Sequence, residues 1–139
     1  MMPPFIAERL RLARSQLKSA KRNLAEGDLE TASNRAFLAA ENAAAAAIAK
    51  SGEYVRPVHG KIRFQFGELC DRGIIPGRFR DILSESYRFR LKGDYGRRIH
   101  LGQTTPELTP GAVRHLIGRV SDLLAVVDKT IGSKKSRRS

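Results

Sequence analysis

The stretch from Asp28 to Gly52 constrains the fold more than any other part of the chain. Ala32, Ala36, Ala39, Ala43 and Ala46 recur at intervals of three or four, and Ala40, Ala44 and Ala47 cover the flanks. That spacing marks a helix, and one that is apolar nearly all round is a helix enclosed by others. Alanine is the strongest helix former, and its short side chain lets neighbouring backbones approach closely. Asp28 is placed to cap this helix, Glu30 to favour its positive end, and Gly52 to stop it after Ser51. A central helix of this kind needs partners, which the rest of the chain must supply.

Four further segments carry a helical period. Ile6, Leu10, Ala13, Leu17, Ala20 and Leu24 form one stripe, with Pro3 and Pro4 at its start and Gly27 at its end. A third helix is expected from about His59 to Arg72, with Ile62, Phe66 and Leu69 inward and Gly73 as its stop. Pro76-Gly77 signals a turn, and a fourth helix is expected from about Arg78 to Lys92, with Phe79, Ile82, Leu83 and Tyr87 inward. Residues 93–108, with Gly93, Gly96, Gly102 and Pro106, read as a long loop. Thr109-Pro110 then caps a fifth helix whose stripe is Val113, Leu116, Val120, Leu123, Val127 and Ile131. No segment alternates as a strand would, and no internal repeat is visible. The expectation is an all-α, up-and-down antiparallel bundle of about five helices over residues 1–131, followed by a basic, disordered tail over 132–139.

A chain of 139 residues is the size of one domain and buries enough surface to need no staple. Its single cysteine, Cys70, lies on an apolar helix flank and reads as a buried core thiol. His59, His100 and His115 are scattered without ligand spacing, and there is no phosphate-binding glycine loop and no nucleophile elbow, so neither a metal nor a cofactor is expected. The N-terminus shows no cationic stretch leading into an apolar run. The longest apolar run, Ala43 to Ala49, is far shorter than the ~20 residues of a membrane span. A cytoplasmic protein without membrane contact is expected.

The net charge of +12 is unevenly spread. Basic groups exceed acidic ones in residues 1–26, 77–100 and 132–139, while the intervening stretches balance. Such a field attracts polyanions, either nucleic acid or nucleotide on one reading or an acidic protein on another. Arg11, Arg14, Lys18 and Lys21 form a basic stripe on the first helix, which suits either a phosphate backbone or a solvated outer face.

Two stretches are more informative. Asn34-Arg35-Ala36-Phe37 places an arginine within the buried alanine helix, where it needs a partner or a route to solvent. Tyr87-Arg88-Phe89-Arg90-Leu91-Lys92-Gly93-Asp94-Tyr95 packs three cations, a carboxylate and two phenols into one helix end. That end is either a local Arg90–Asp94 pair or a phosphate pocket, since guanidinium groups offer bidentate contacts to phosphate.

Taken in order, A-x-N-R-A-aromatic at Ala32 to Phe37, His59-Gly60, and Y-x-x-R-x-x-G-D-Y at Tyr87 to Tyr95 resemble the prokaryotic HEPN domain over roughly residues 5–131. The resemblance implies a helical bundle that pairs as a homodimer and acts with a nucleotidyltransferase partner, in a toxin–antitoxin or related system. It implies RNA or nucleotide binding at Arg90 and Asp94, with Tyr95, Arg88, Lys92, Asn34, Arg35 and His59 as further candidates. Ribonuclease members of the family carry an arginine, four to six residues, and then a histidine that performs acid–base work without a metal. Here Arg90 matches the arginine, but the position after four intervening residues holds Tyr95, whose phenol ordinarily titrates near ~10. His100 lies beyond the register, and Arg56 is too close to His59.

The reading is therefore a basic, dimeric binding module with little or no ribonuclease activity. The alternatives are a metal-independent endoribonuclease toxin using Arg90 with His59 or Tyr95, and a structural subunit whose charge matches an acidic partner. A helix-turn-helix DNA reader fits less well, because the alanine helix suits a bundle core better than a groove.

Overall fold

Alanines at the centre and aliphatic stripes around them give a bundle. A computed structural model of the chain describes residues 2–95 and 108–136, with side chains described for 2–91 and 108–132. Five α-helices are present among the described residues: α1 (Pro4–Ala25), α2 (Leu29–Lys50), α3 (His59–Asp71), α4 (Ile82–Tyr95) and α5 (Pro110–Ser136). A 3-10 turn at Gly77–Phe79 precedes α4. Helix α2 touches all four other helices, and its alanines from Ala32 to Ala47 are buried. The α1 stripe from Ile6 to Ala20 and the α5 stripe from Val113 to Ile131 close over it, buried at every position where the period places them. The architecture is thus all-helical, and no helix among the described residues is long and apolar enough to cross a membrane.

Local chemistry sets the helix ends. Asp28 Oδ1 accepts the Thr31 N–H at 3.1 Å, and Thr109 Oγ1 accepts the Ala112 N–H at 3.1 Å, so each satisfies a donor that the first helical turn leaves open. Gly27 and Gly52 follow α1 and α2 at φ +81° and +97°, a region that favours glycine.

The placement of α3 depends on the extended segment that follows Gly52. Gln65, buried in α3, accepts the Arg56 N–H at 3.2 Å and donates to the Tyr54 carbonyl at 2.7 Å, holding this strap along the helix. The strap carries the chain back along α2 before α3 begins. Helix α3 therefore starts beside Glu41, midway along α2, and ends just before Arg72, which borders a cavity shared with Lys50 at the end of α2. It runs in the same sense as α2, so this pair departs from the up-and-down antiparallel order expected from the sequence, and its first residue, His59, is delivered to the middle of the central helix.

The fourth helix departs from the sequence reading at both ends. It begins at Ile82 rather than Arg78, because Pro76 leads into a 3-10 turn that buries Phe79 first. It continues through Gly93 to Tyr95, so the expected loop does not begin at residue 93; residues 96–107 lie outside those described. Its inward face is Ile82, Leu83, Ser86 and Phe89, while Tyr87 is half-buried. Ser86 occupies a core position because its hydroxyl donates back to the Ile82 carbonyl at 2.8 Å, and a serine there conceals the apolar period. Helix α5 extends to Ser136, past the expected end at Ile131.

Ion pairs tie the outer surfaces. Arg14 meets Asp128 at 2.7 Å between α1 and α5. Arg119 of α5 pairs with Glu85 of α4 and donates to the Arg78 carbonyl at 3.2 Å. Cys70 is buried, and that burial pushes its thiol up to about 11.

Candidate functional site

Three helices converge where α3 begins. From α2 come Phe37 and Glu41, one helical turn apart and so on one face. Phe37 is 2% exposed, and the Glu41 side chain is 16% exposed. From α3 comes His59, whose side chain is 49% exposed and therefore open to solvent. From α4 come Tyr87 and Arg90, three residues apart on a shared face.

His59 bridges the other two helices. Its Nδ1 is hydrogen-bonded to Glu41 Oε2, and its Nε2 lies 3.5 Å from Arg90 Nη1. A carboxylate accepts, so this pairing places the ring proton on Nδ1 and turns the Nε2 lone pair toward the guanidinium. The ring packs edge-on against Phe37 at 5.4 Å between centroids and lies 6.3 Å from Tyr87. Phe37 and Tyr87 meet at 5.6 Å. The Arg90 guanidinium carbon sits 5.2 Å from the Phe37 ring centre, and that of Arg63 sits 5.6 Å from the Tyr87 ring centre. Two cations thus stand over an aromatic base with an imidazole between the helices that carry them, an arrangement stabilised by ring quadrupoles.

The structure brings together two of the sequence candidates, His59 and Arg90, along with Phe37 and Tyr87 from the same motifs. Of the other candidates, Arg88, Asn34 and Arg35 make no hydrogen bond or ring contact with these four among the described residues. Arg88 is exposed on α4 and lies about 200° around the helix from Arg90. Asn34 and Arg35 are half-buried on α2, and Arg35 Nε is buried without a hydrogen-bond partner among the described residues. The backbones of Lys92, Asp94 and Tyr95 form the last turn of α4, but their side chains lie outside the described residues, as does His100.

Two members of the cluster escaped the sequence reading. Glu41 is the acidic residue that interrupts the alanine face four positions after Phe37, and Arg63 follows His59 by four positions on α3. Each is one turn from a residue already singled out, which is the signal that would have found it.

The cluster can perform two kinds of chemistry. A guanidinium binds phosphate oxygens through a planar fork of donors. An imidazole oriented by a carboxylate can move a proton at its other nitrogen. Glu41 and His59 make a two-group set, and among the described residues no group of three or more His, Cys, Asp or Glu side chains could hold a metal ion.

In comparison with known proteins, a family model described as HEPN domain matches residues 6–130. A search of curated proteins gives no match.

Proposed function

The chain belongs to the HEPN domain family, and from that premise we propose that it is a nucleotide- or RNA-associated binding module whose phosphate-facing site is the cluster at Arg90 and His59. The observation that carries this reading is the 3.5 Å approach of the Arg90 guanidinium to His59 Nε2 above Phe37, with Arg63 over the neighbouring Tyr87. The basic excess around it supplies long-range attraction for a polyanion. The module acts in the cytoplasm as a homodimer, with a nucleotidyltransferase-type partner in a toxin–antitoxin or related system. Closed twofold pairing is the commonest oligomer.

The test is binding of a labelled single-stranded RNA at several salt concentrations. Arg90→Ala should lower affinity about tenfold, the loss expected for one charge-assisted phosphate contact. Arg80 is unsuitable as an equal-charge control, because it makes two hydrogen bonds to Asp71 and packs on Gly67. Lys129→Ala is suitable, since it removes one exposed charge near the far end of α5. Wild-type affinity should fall steeply with salt. Equal affinity of the two variants would remove Arg90 from the site. Co-purification with a nucleotidyltransferase encoded beside this gene tests the partner, and a light-scattering mass of twice 15.4 kDa tests the dimer.

One observation favours a second reading, a metal-independent endoribonuclease. The position after Arg90 that the ribonuclease pattern reserves for histidine holds Tyr95, yet the fold brings His59 to Arg90 from another helix and backs it with Glu41. In such an enzyme His59 Nε2 would take the ribose 2′-hydroxyl proton while Arg90 held the adjacent phosphate. The discriminating assay is RNA cleavage in excess chelator. Cleavage that is abolished by both His59→Ala and Arg90→Ala selects the enzyme, whereas binding without cleavage selects the module. If neither binding nor cleavage depends on Arg90, the site assignment is wrong, and no RNA binding at all selects the structural subunit.

A further inference from the structure

On the other side of Glu41 lies a cavity that neither motif accounts for. Its volume is about 180 Å³, enough for one heterocyclic base. Val55, Pro57 and Ile62, from the strap and α3, form an apolar wall. Facing them are Phe5 and Arg9 of α1 and Asn42 of α2.

Phe5 is 45% exposed, an aromatic ring left open to solvent, with the Arg9 guanidinium carbon 5.2 Å from its centre. Arg9 Nη1 donates to Asn42 Oδ1 at 3.0 Å, while Arg9 Nε is buried without a hydrogen-bond partner among the described residues. A buried donor left unmade is costly. Apolar walls with a few convergent polar groups, here Arg9, Asn42 and Glu41, are what a small-molecule site presents. Glu41 also lines this cavity while its Oε2 holds His59, so the cavity and the phosphate-facing cluster share one carboxylate.

We propose that this cavity is a nucleobase subsite, and that it takes a purine carrying both donors and acceptors on its edges, guanine ahead of adenine. The inference rests on the reading of Arg90 and His59 as a phosphate site, since a nucleotide phosphate there would set its base toward Glu41. The part of the Phe5 ring that Arg9 leaves uncovered offers a stacking surface, to which any base can bind. Selection comes from the polar wall. Glu41 accepts from ring and amino N–H groups, which guanine presents side by side. Arg9 donates toward O6 and N7, the acceptor pair that arginine reads in guanine. Adenine offers a single amino donor and cannot match both groups.

The test compares GMP, AMP and ribose 5-phosphate by calorimetric titration of the full chain. GMP should bind about tenfold more tightly than ribose 5-phosphate, a modest value for one stacked base, and more tightly than AMP. Phe5→Ala and Asn42→Ala should each remove most of the GMP advantage and leave ribose 5-phosphate binding unchanged, with the helical circular-dichroism signal intact. Arg90→Ala should weaken all three ligands. If GMP and ribose 5-phosphate bind equally, and both are lost in Arg90→Ala, the base subsite is wrong and the phosphate site stands. If GMP responds to Phe5→Ala but not to Arg90→Ala, the cavity stands and the phosphate reading falls. AMP binding as tightly as GMP overturns the guanine preference, and no binding of any nucleotide overturns the inference whole.

Discussion

The side of the bundle made by α1, α2 and α5 and the corner where α3 meets α4 are built by different rules. On the first, alanine faces and aliphatic stripes interlock, and polar contacts such as Arg14–Asp128 stay at the surface. At the second, an imidazole, two guanidinium groups and two aromatic rings meet at the edge of the core, held by directional contacts. The comparison separates scaffold from site. Where packing alone decides, each residue type follows the period. Where chemistry is needed, the period is broken by Glu41 and Arg90, and a strap is used to bring in His59.

The largest expected effect falls on the scaffold. Leu123→Ala opens a void in fully buried α5 packing and should cost about 2–5 kcal/mol in a denaturant titration. A loss well under that range would mean that the scaffold repacks as freely as a surface. Ala43→Leu tests the same side from the opposite direction, because Ala43 is fully buried and a larger side chain must displace its neighbours. It should cost about 1–3 kcal/mol. Tolerance of leucine there would show that close approach to α2 is not what the alanines provide.

The corner should behave otherwise. Arg63 is half-buried over Tyr87, and Arg63→Ala should change stability by no more than about 0.5 kcal/mol while weakening RNA binding several-fold. A stability loss as large as that of Leu123→Ala would make this corner scaffold as well.

The smallest expected effect concerns the Asp28 cap. A hydrogen bond from the Thr31 side chain, together with one from its backbone N–H, holds the Asp28 carboxyl below its ordinary value. A carboxyl lowered by folding contributes stability above its unfolded value, near ~3.9, and loses it as pH falls through the folded value. The advantage of wild type over Asp28→Asn should therefore be constant near neutrality and shrink below about pH 4. An advantage that does not change with pH would exclude the charge of Asp28 as its source.

The same division explains what could be read in advance. The stripes of α1 and α5 and the alanine face of α2 were legible because their positions are apolar and buried, with Ser33 of α2 the one buried polar exception among the described residues. The face of α4 was blurred by Ser86, a polar residue satisfied within its own helix, and by Gly93, which the helix absorbs. At the site, His59 and Arg90 were legible as motif members, but not as neighbours. They are 31 residues apart, and their meeting depends on the strap held by Gln65. Helical period carries no information about that strap. Glu41 and Arg63 were passed over because a charged residue on a helix ordinarily faces water.

The burial of so many alanines in α2 also bears on how the site moves. Alanine has no rotamers to lose, so ordering its side chain on folding costs no conformational entropy. The alanine positions of the central helix are thus ordered at the cost of backbone alone, and its amides belong among the slowest in the chain to exchange with solvent deuterium. Phe37 and Glu41 ride on that slow helix, while His59 sits at the exposed start of α3. The ring floor and the shared carboxylate therefore belong to the slowest-exchanging element of the site, and the imidazole to a helix start nearer solvent.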